Sequence, residues 1–122
     1  MPVPEKVMRA YVSMWNARDE NDRRRFADEA LTEDAALIYP TIEARGREDI
    51  VAAIGRFQEQ MPGAYFEPAS GIEHHHGWLR ESWRLIQIDG TVRLEGEDVA
   101  EQAEDGRFRR VIGFRNPLPG HS

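Results

Sequence analysis

The spacing of apolar residues changes period part-way along the chain. Val7, Met8, Tyr11, Val12, Met14 and Trp15 recur at helical intervals, which predicts a first helix running to about Arg18. Pro4-Glu5 suits its start, because proline loses no hydrogen bond there and glutamate meets the positive end of the helix dipole. Asp19-Glu20-Asn21-Asp22 breaks this helix and supplies an N-cap for a second, shorter one near Arg23–Ala30, with Phe26 and Leu31 as its apolar contacts. Leu31-Thr32-Glu33-Asp34 then turns the chain, Ala35–Tyr39 forms a strand closed by Pro40, and a loop passes through Gly46. A third helix follows from Arg47 to about Gln60, with Ile50, Val51, Ile54 and Phe57 on its core face. Met61-Pro62-Gly63 ends it.

From Tyr65 onward the period is two. Tyr65–Glu73 reads as a strand bent at Pro68-Ala69-Ser70-Gly71, and two consecutive hairpins follow, His74–Ile88 into Thr91–Gln102 and then Arg107–Phe114. Asp89-Gly90 is a strong two-residue turn signal. With that loop, Leu85 faces Leu94, Trp83 faces Gly96, Glu81 faces Asp98 and Leu79 faces Ala100, all on one side of the sheet. The other side carries Arg84 opposite Glu95, Ser82 opposite Glu97 and Arg80 opposite Val99. The first side is therefore the buried one, and two carboxyl groups go inward with it. In the last hairpin, Phe108, Arg110, Ile112 and Phe114 reach the same face if the loop holds three residues with a bulge at Gly106.

Directly opposed side chains have Cβ atoms roughly 5 Å apart. Two like charges at about 4 Å repel by about 4 kcal/mol at an effective dielectric of about 20. Burial pushes the same way, so Glu81 and Asp98 are expected to share one proton near neutral pH. A carboxylic acid that stays protonated there can donate a hydrogen bond or act as a general acid. Two blander alternatives stand beside this: a one-residue slip moves the pair to the wet face, or a buried acid simply bonds a backbone N–H or an arginine.

Composition narrows the partners. At 122 residues the chain is one domain with room for a core, and it has no cysteine. A net charge of −6 argues against nucleic acid, and the run Arg23-Arg24-Arg25 fits a solvated helix face. With no apolar leader and no long hydrophobic run, a soluble cytoplasmic protein without membrane association is expected. His74-His75-His76 does not make a metal site, because neighbours on a strand alternate faces and no second cluster completes a tetrahedral set. If the strand is regular back through Gly77, His75 points inward toward the acidic pair; otherwise His75 and His76 occupy a turn near solvent. A short Pro/Gly-rich tail, 115–122, includes His121, expected to be disordered.

Helices that precede and pack on one face of a curved, mostly antiparallel sheet define an α+β domain, a cone-shaped arrangement that leaves a pocket. Its pieces resemble the nuclear transport factor 2-like superfamily, in particular its SnoaL-like branch. The resemblance rests on Tyr11-Val12-Ser13-Met14-Trp15-Asn16-Ala17-Arg18-Asp19, Gly46-Arg47-Glu48-Asp49-Ile50, His75-His76-Gly77-Trp78-Leu79-Arg80, Trp83, Gly96-Glu97-Asp98 and Asp105-Gly106-Arg107. It implies a cystatin-like cone and a range of activities that includes ketosteroid isomerases, polyketide cyclases, dehydratases, hydrolases and non-catalytic binders, so the fold does not choose among them. By the same resemblance Tyr11 is similar to the isomerases' helix-1 oxyanion donor and Asp98 to their protonated aspartic acid, while their general base falls near Tyr39, a poor base at neutral pH.

Glu81 can supply the missing carboxylate. The resulting expectation is a cofactor-independent enzyme acting on a small apolar molecule with a carbonyl or comparable oxygen. Tyr11, Glu81 and Asp98 are its catalytic candidates, and Trp15, Tyr39, Phe57, His75, Trp83 and Phe114 are its candidate ligand-binding residues. The alternative is a non-catalytic ligand-binding or dimeric interaction module, a homodimer pairing through an outer-face patch of Trp78, Ile86, Val92 and Val99.

Overall fold

A computed structural model describes residues 3–117 and 120. Helix α1 (Pro4–Asn16) buries Val7, Met8, Tyr11, Met14 and Trp15, the stripe its spacing predicts, with proline in its first turn. Helix α2 (Glu20–Ala30) begins earlier than expected because Asp19 is the N-cap, accepting the Asp22 N–H at 3.0 Å. Strand β1 (Leu31–Tyr39) starts at Leu31, taking in the residues expected to form a turn. Strand β2 (Ile42–Arg45) occupies what was expected to be loop, and α3 (Arg47–Gln60) follows. Strands β3 (Tyr65–Pro68) and β4 (Glu73–His75) are the two halves of the bent segment. Strands β5 (Trp78–Ile86), β6 (Val92–Gln102) and β7 (Phe108–Asn116) complete the chain. β7 continues through Asn116, two residues into the tail expected from 115; His121 lies outside the described residues.

All seven strands form one sheet in the order β2-β1-β7-β6-β5-β3, with β4 also on β5. The β1–β7 pairing is parallel and the others antiparallel. The three helices cover the inner face, and Leu79, Ala100, Phe108 and Val111 meet the α1 and α3 stripes in the main core. The architecture is the expected α+β cone.

Bulges correct the register in detail. The β5–β6 loop contains three residues, since Gln87 N–H bonds Thr91 O at 2.8 Å and Ile86 pairs with Val92. Arg93 is then the extra residue, and beyond it Leu85 faces Leu94 as expected. Two errors of one residue cancel, so Glu81 does face Asp98. Ile86, expected on the outer face, is buried. In β7 the extra residue is Arg109, not Gly106: Gln102 pairs with Phe108 and Glu101 with Arg110. Such an insertion reverses facing beyond it. Val111 and Gly113 therefore point inward, whereas Phe114 pairs with Glu97 on the outside and is 53% exposed.

The arginine run is not one solvated face either. Arg23 is buried, and its Nη2 donates to Ala17 O at 3.2 Å and to Gln58 Oε1 at 2.8 Å. Gln58 Nε2 in turn donates to Trp15 O at 2.9 Å and Ala17 O at 2.8 Å, so the two side chains satisfy carbonyls at the end of α1. A cation suits that negative dipole end. Replacing Arg23 by Ala leaves those acceptors underbonded and opens space, and it is expected to destabilise the fold by about 2–3 kcal/mol in urea unfolding. Arg24→Ala, at an exposed site, is expected to leave the urea midpoint essentially unchanged.

Candidate active site

The site lies between α1, the end of β1 and the inner face of β5, β6 and β7. Its walls are aromatic because α1, β1, α3, β3 and β5 place Trp15, Tyr39, Phe57, Phe66 and Trp83 around it. Trp15 packs edge-on against Tyr39 and Phe57, each at 5.5 Å between ring centroids, and against Phe66 at 5.3 Å. Phe66 meets Trp83 at 5.4 Å. Asn16 holds Phe66 there through a reciprocal pair of bonds to its backbone, Nδ2 to Phe66 O and Phe66 N–H to Oδ1, each 2.8 Å. These rings fill most of the space. What remains is a cavity of about 80 Å³, lined also by Val12, Ile42, Leu85 and Leu94, compared with roughly 300–1,000 Å³ for a drug-sized site.

Polar groups gather at one wall of the cavity. The Tyr39 hydroxyl donates to Asp98 Oδ1 at 2.8 Å, and the Trp83 indole N–H donates to the same oxygen at 3.0 Å. The Tyr11 and Tyr39 hydroxyl oxygens are 2.6 Å apart. Since the Tyr39 proton is directed to Asp98, the Tyr11 hydroxyl is the donor of that pair. Tyr11 thus reaches Asp98 through Tyr39, which is the centre of the chain and not merely part of the wall. Burial holds both phenols well above their usual range, and the Asp98 charge adds to the effect; neither acts as a base near neutral pH.

Two glycines make this geometry possible. A Cβ at Gly113 would lie 2.0 Å from Tyr39 Cε1, and one at Gly96 would lie 2.2 Å from Trp83 Cζ2. The rings lie flat over bare backbone on either side of Asp98, which pairs with Gly113 on one flank while Gly96 sits two residues away along β6.

Glu81 and Asp98 are directly opposed, and both are buried. Burial pushes the Glu81 carboxyl up to about 7. Burial likewise lifts Asp98 to about 7, against the lowering effect of its Tyr39 and Trp83 donors and with added repulsion from Glu81. Near pH 7 the pair therefore holds about one proton. The two acids differ in access. Glu81 and Ser82 face the interruption between β3 and β4, where Pro68 pairs with Trp83 and Glu73 with Arg80. Ser70 Oγ stands in for a strand partner there, accepting the Ser82 N–H at 2.9 Å. A second opening lined by Ser70, Gly71 and Glu81 lies at this gap, so Glu81 is the member of the pair that meets solvent.

Of the residues expected at the site, Tyr11, Trp15, Tyr39, Phe57, Glu81, Trp83 and Asp98 all line the cavity. His75 and Phe114 do not. His75 is exposed on β4, and His76-Gly77 form a two-residue turn with φ of 52° and 81°, the positive values such a turn demands. That turn leaves His75 against His76, Nδ1 to Nδ1 3.0 Å, away from the acids. Phe114 is turned outward by the Arg109 bulge. Three participants were not foreseen. Phe66 was signalled only by the short alternation of Tyr65–Pro68, Gly113 carries no side-chain signal, and Arg115 reaches the cavity only through the bulge. Among the described residues no set of three or more His, Cys, Asp or Glu side chains forms a metal-binding group, and no helix is long and apolar enough to cross a membrane.

No family model and no curated relative matches the sequence. Solved structures do match it. An NTF2-like protein of unknown function from an Exiguobacterium species superposes with a TM-score of 0.73 at 13% identity, over 92% of this chain and 99% of the other. A protein from a Jannaschia species, provisionally named a SnoaL-like polyketide cyclase, has a TM-score of 0.69 at 12% identity, over 95% and 89%. These two share the fold. A protein of the SnoaL-like family from Agrobacterium tumefaciens, provisionally named an isomerase, has a TM-score of 0.87 at 30% identity over 92% of this chain and 96% of its own. The chain belongs to the SnoaL-like family.

Proposed function

We propose that the cavity receives the oxygen-bearing end of a small, largely apolar molecule and that the protein performs cofactor-independent acid/base chemistry on it, of the isomerase, cyclase, dehydratase or hydrolase type. The observation that carries this is the opposed pair Glu81 and Asp98 in an aromatic cavity. Tyr39 and Trp83 both occupy Asp98 Oδ1, which leaves Oδ2 to carry the pair's proton toward a substrate oxygen. Ionised Glu81 then removes a proton from the neighbouring carbon, and protonated Asp98 stabilises the charge that develops on the oxygen. Tyr11 is a positioning residue that acts through Tyr39. Exchange through the β3–β4 gap returns Glu81 to its starting state. The small cavity favours a slender molecule or the narrow end of a larger one, so a bulky polycycle does not fit whole.

Deuterium exchange tests this without knowledge of the natural substrate. Incubated in D2O with small enolisable ketones, the wild-type protein is expected to incorporate deuterium next to the carbonyl, read by proton NMR. Glu81→Gln is expected to slow incorporation by about a hundredfold or more, the usual scale for losing a general base. The second reading, a non-catalytic ligand-binding or dimeric interaction module, is favoured by the fact that both tyrosine protons are already satisfied within the chain. Ketones that bind without exchange would select that second reading.

A further inference from the structure

Among the described residues, the one cation lining the aromatic cavity is Arg115, at the end of β7. Its register explains why it is there. Gly113 pairs with Asp98 and Arg115 with Gly96, so Arg115 has the facing of the buried acids, two residues farther toward the mouth. Gly96 presents no side chain opposite it, and the space above that glycine is taken by the Trp83 ring.

Arg115 also differs from the paired arginines of the outer face. On the outer face Arg80 pairs with Glu73, Arg84 with Glu67 and Arg110 with Glu101. Among the described residues Arg115 has no carboxylate partner, although the chain holds 22 acidic against 16 basic residues. Arg115 is exposed at the rim of the cavity, and in a protein with so many carboxylates a guanidinium left unmatched beside apolar walls is suited to a charge that arrives with a ligand.

We propose that Arg115 anchors a carboxylate at the outer end of the substrate, so that the pocket is selective for small oxo-carboxylic acids whose apolar middle separates the carboxylate from the reacting oxygen. This rests on the proposed role of the cavity. Two residues along a strand span roughly 7 Å, which sets the scale of the separation between the carboxylate and the oxygen at Asp98. An acid with the two groups four or five carbons apart spans it. The proton held by the Glu81–Asp98 pair favours entry of such an anion, since two ionised carboxylates would repel it.

The test uses 5-oxohexanoate and its methyl ester, titrated at pH 6 while the indole N–H resonances of Trp83 and Trp15 are followed by NMR. In the wild type the acid is expected to bind about tenfold more tightly than the ester, the scale of one charged anchor. In Arg115→Gln the acid is expected to fall to the affinity of the ester, while the ester is unchanged. Equal binding of acid and ester by the wild type, or a preference that survives Arg115→Gln, overturns the anchor. If the ester moves the indole resonances but the acid has no advantage, the cavity reading stands and the anchor alone fails. If neither moves them at millimolar concentration, both fail.

Discussion

Asp98→Asn is expected to raise the stability of the protein at pH 8 while removing its acid/base activity. The sign follows from where the carboxyl titrates. An unfolded aspartate ionises near 4, whereas folded Asp98 does so at about 7. Between these values the folded state binds more protons, so unfolding free energy falls as pH rises. The penalty is absent below about pH 4 and complete above about pH 7. That displacement corresponds to roughly 4 kcal/mol at most. Asparagine can keep an oxygen for Tyr39 and Trp83 without the buried charge. Urea unfolding from pH 4 to 8 should therefore show a falling curve for the wild type and a flatter one for Asp98→Asn, with the variant the more stable at pH 8 by about 2–4 kcal/mol. Deuterium exchange into a ketone, in contrast, should drop by at least about a hundredfold. A variant less stable than wild type at pH 8 would mean that Asp98 is an ordinary ionised carboxylate.

Gly113→Ala is the second large effect, and it acts through Tyr39. The added methyl would sit 2.0 Å and 2.2 Å from two carbons of the Tyr39 ring, far inside contact distance. The backbone at Gly113 is in an ordinary strand, so the ring must move, and both its bonds, 2.6 Å to Tyr11 and 2.8 Å to Asp98, are lost. Overpacking of this kind destabilises by about 1–3 kcal/mol. Without the Tyr39 donor the Asp98 carboxyl is expected to titrate higher still. Combining Gly113→Ala with Tyr39→Ala should recover stability relative to the single change but not the activity. If Gly113→Ala alone leaves stability and the Asp98 titration untouched, the ring does not lie over that glycine.

The sequence made the acidic pair legible because a turn signal and the alternation of Leu79, Trp83 and Leu85 fix the facing of Glu81. It did so with compensating slips, since the β5–β6 loop has three residues and Arg93 restores the register. Bulges are where alternation stops being readable. The extra residue at Arg109 removes Phe114 from the site and brings in Arg115. Of the two positions open to His75, the solvent side holds, because the His76-Gly77 turn adopts positive φ at a histidine and interrupts the strand that would have carried His75 inward. Strand β2 is a four-residue edge with only Ala44 buried, too short and polar to stand out. The buried Arg23 looked like its exposed neighbours because its partners are carbonyls and an amide far along the chain, not acids nearby. Gly96 and Gly113 matter for what they lack, and only the positions of the Trp83 and Tyr39 rings reveal that.

Glu81 and Asp98 form a buried pair that holds about one proton near neutral pH. Carboxyl-carbon NMR across a pH titration addresses it most directly, with Glu81→Gln and Asp98→Asn providing the assignments. The expected result is two carboxyl groups titrating well above the usual range, near 7. In Glu81→Gln, Asp98 should titrate lower than in the wild type because the repulsion is gone, yet remain raised by burial. Two independent titrations near about 4, unchanged by removal of either partner, would contradict the pair and the acid/base chemistry built on it.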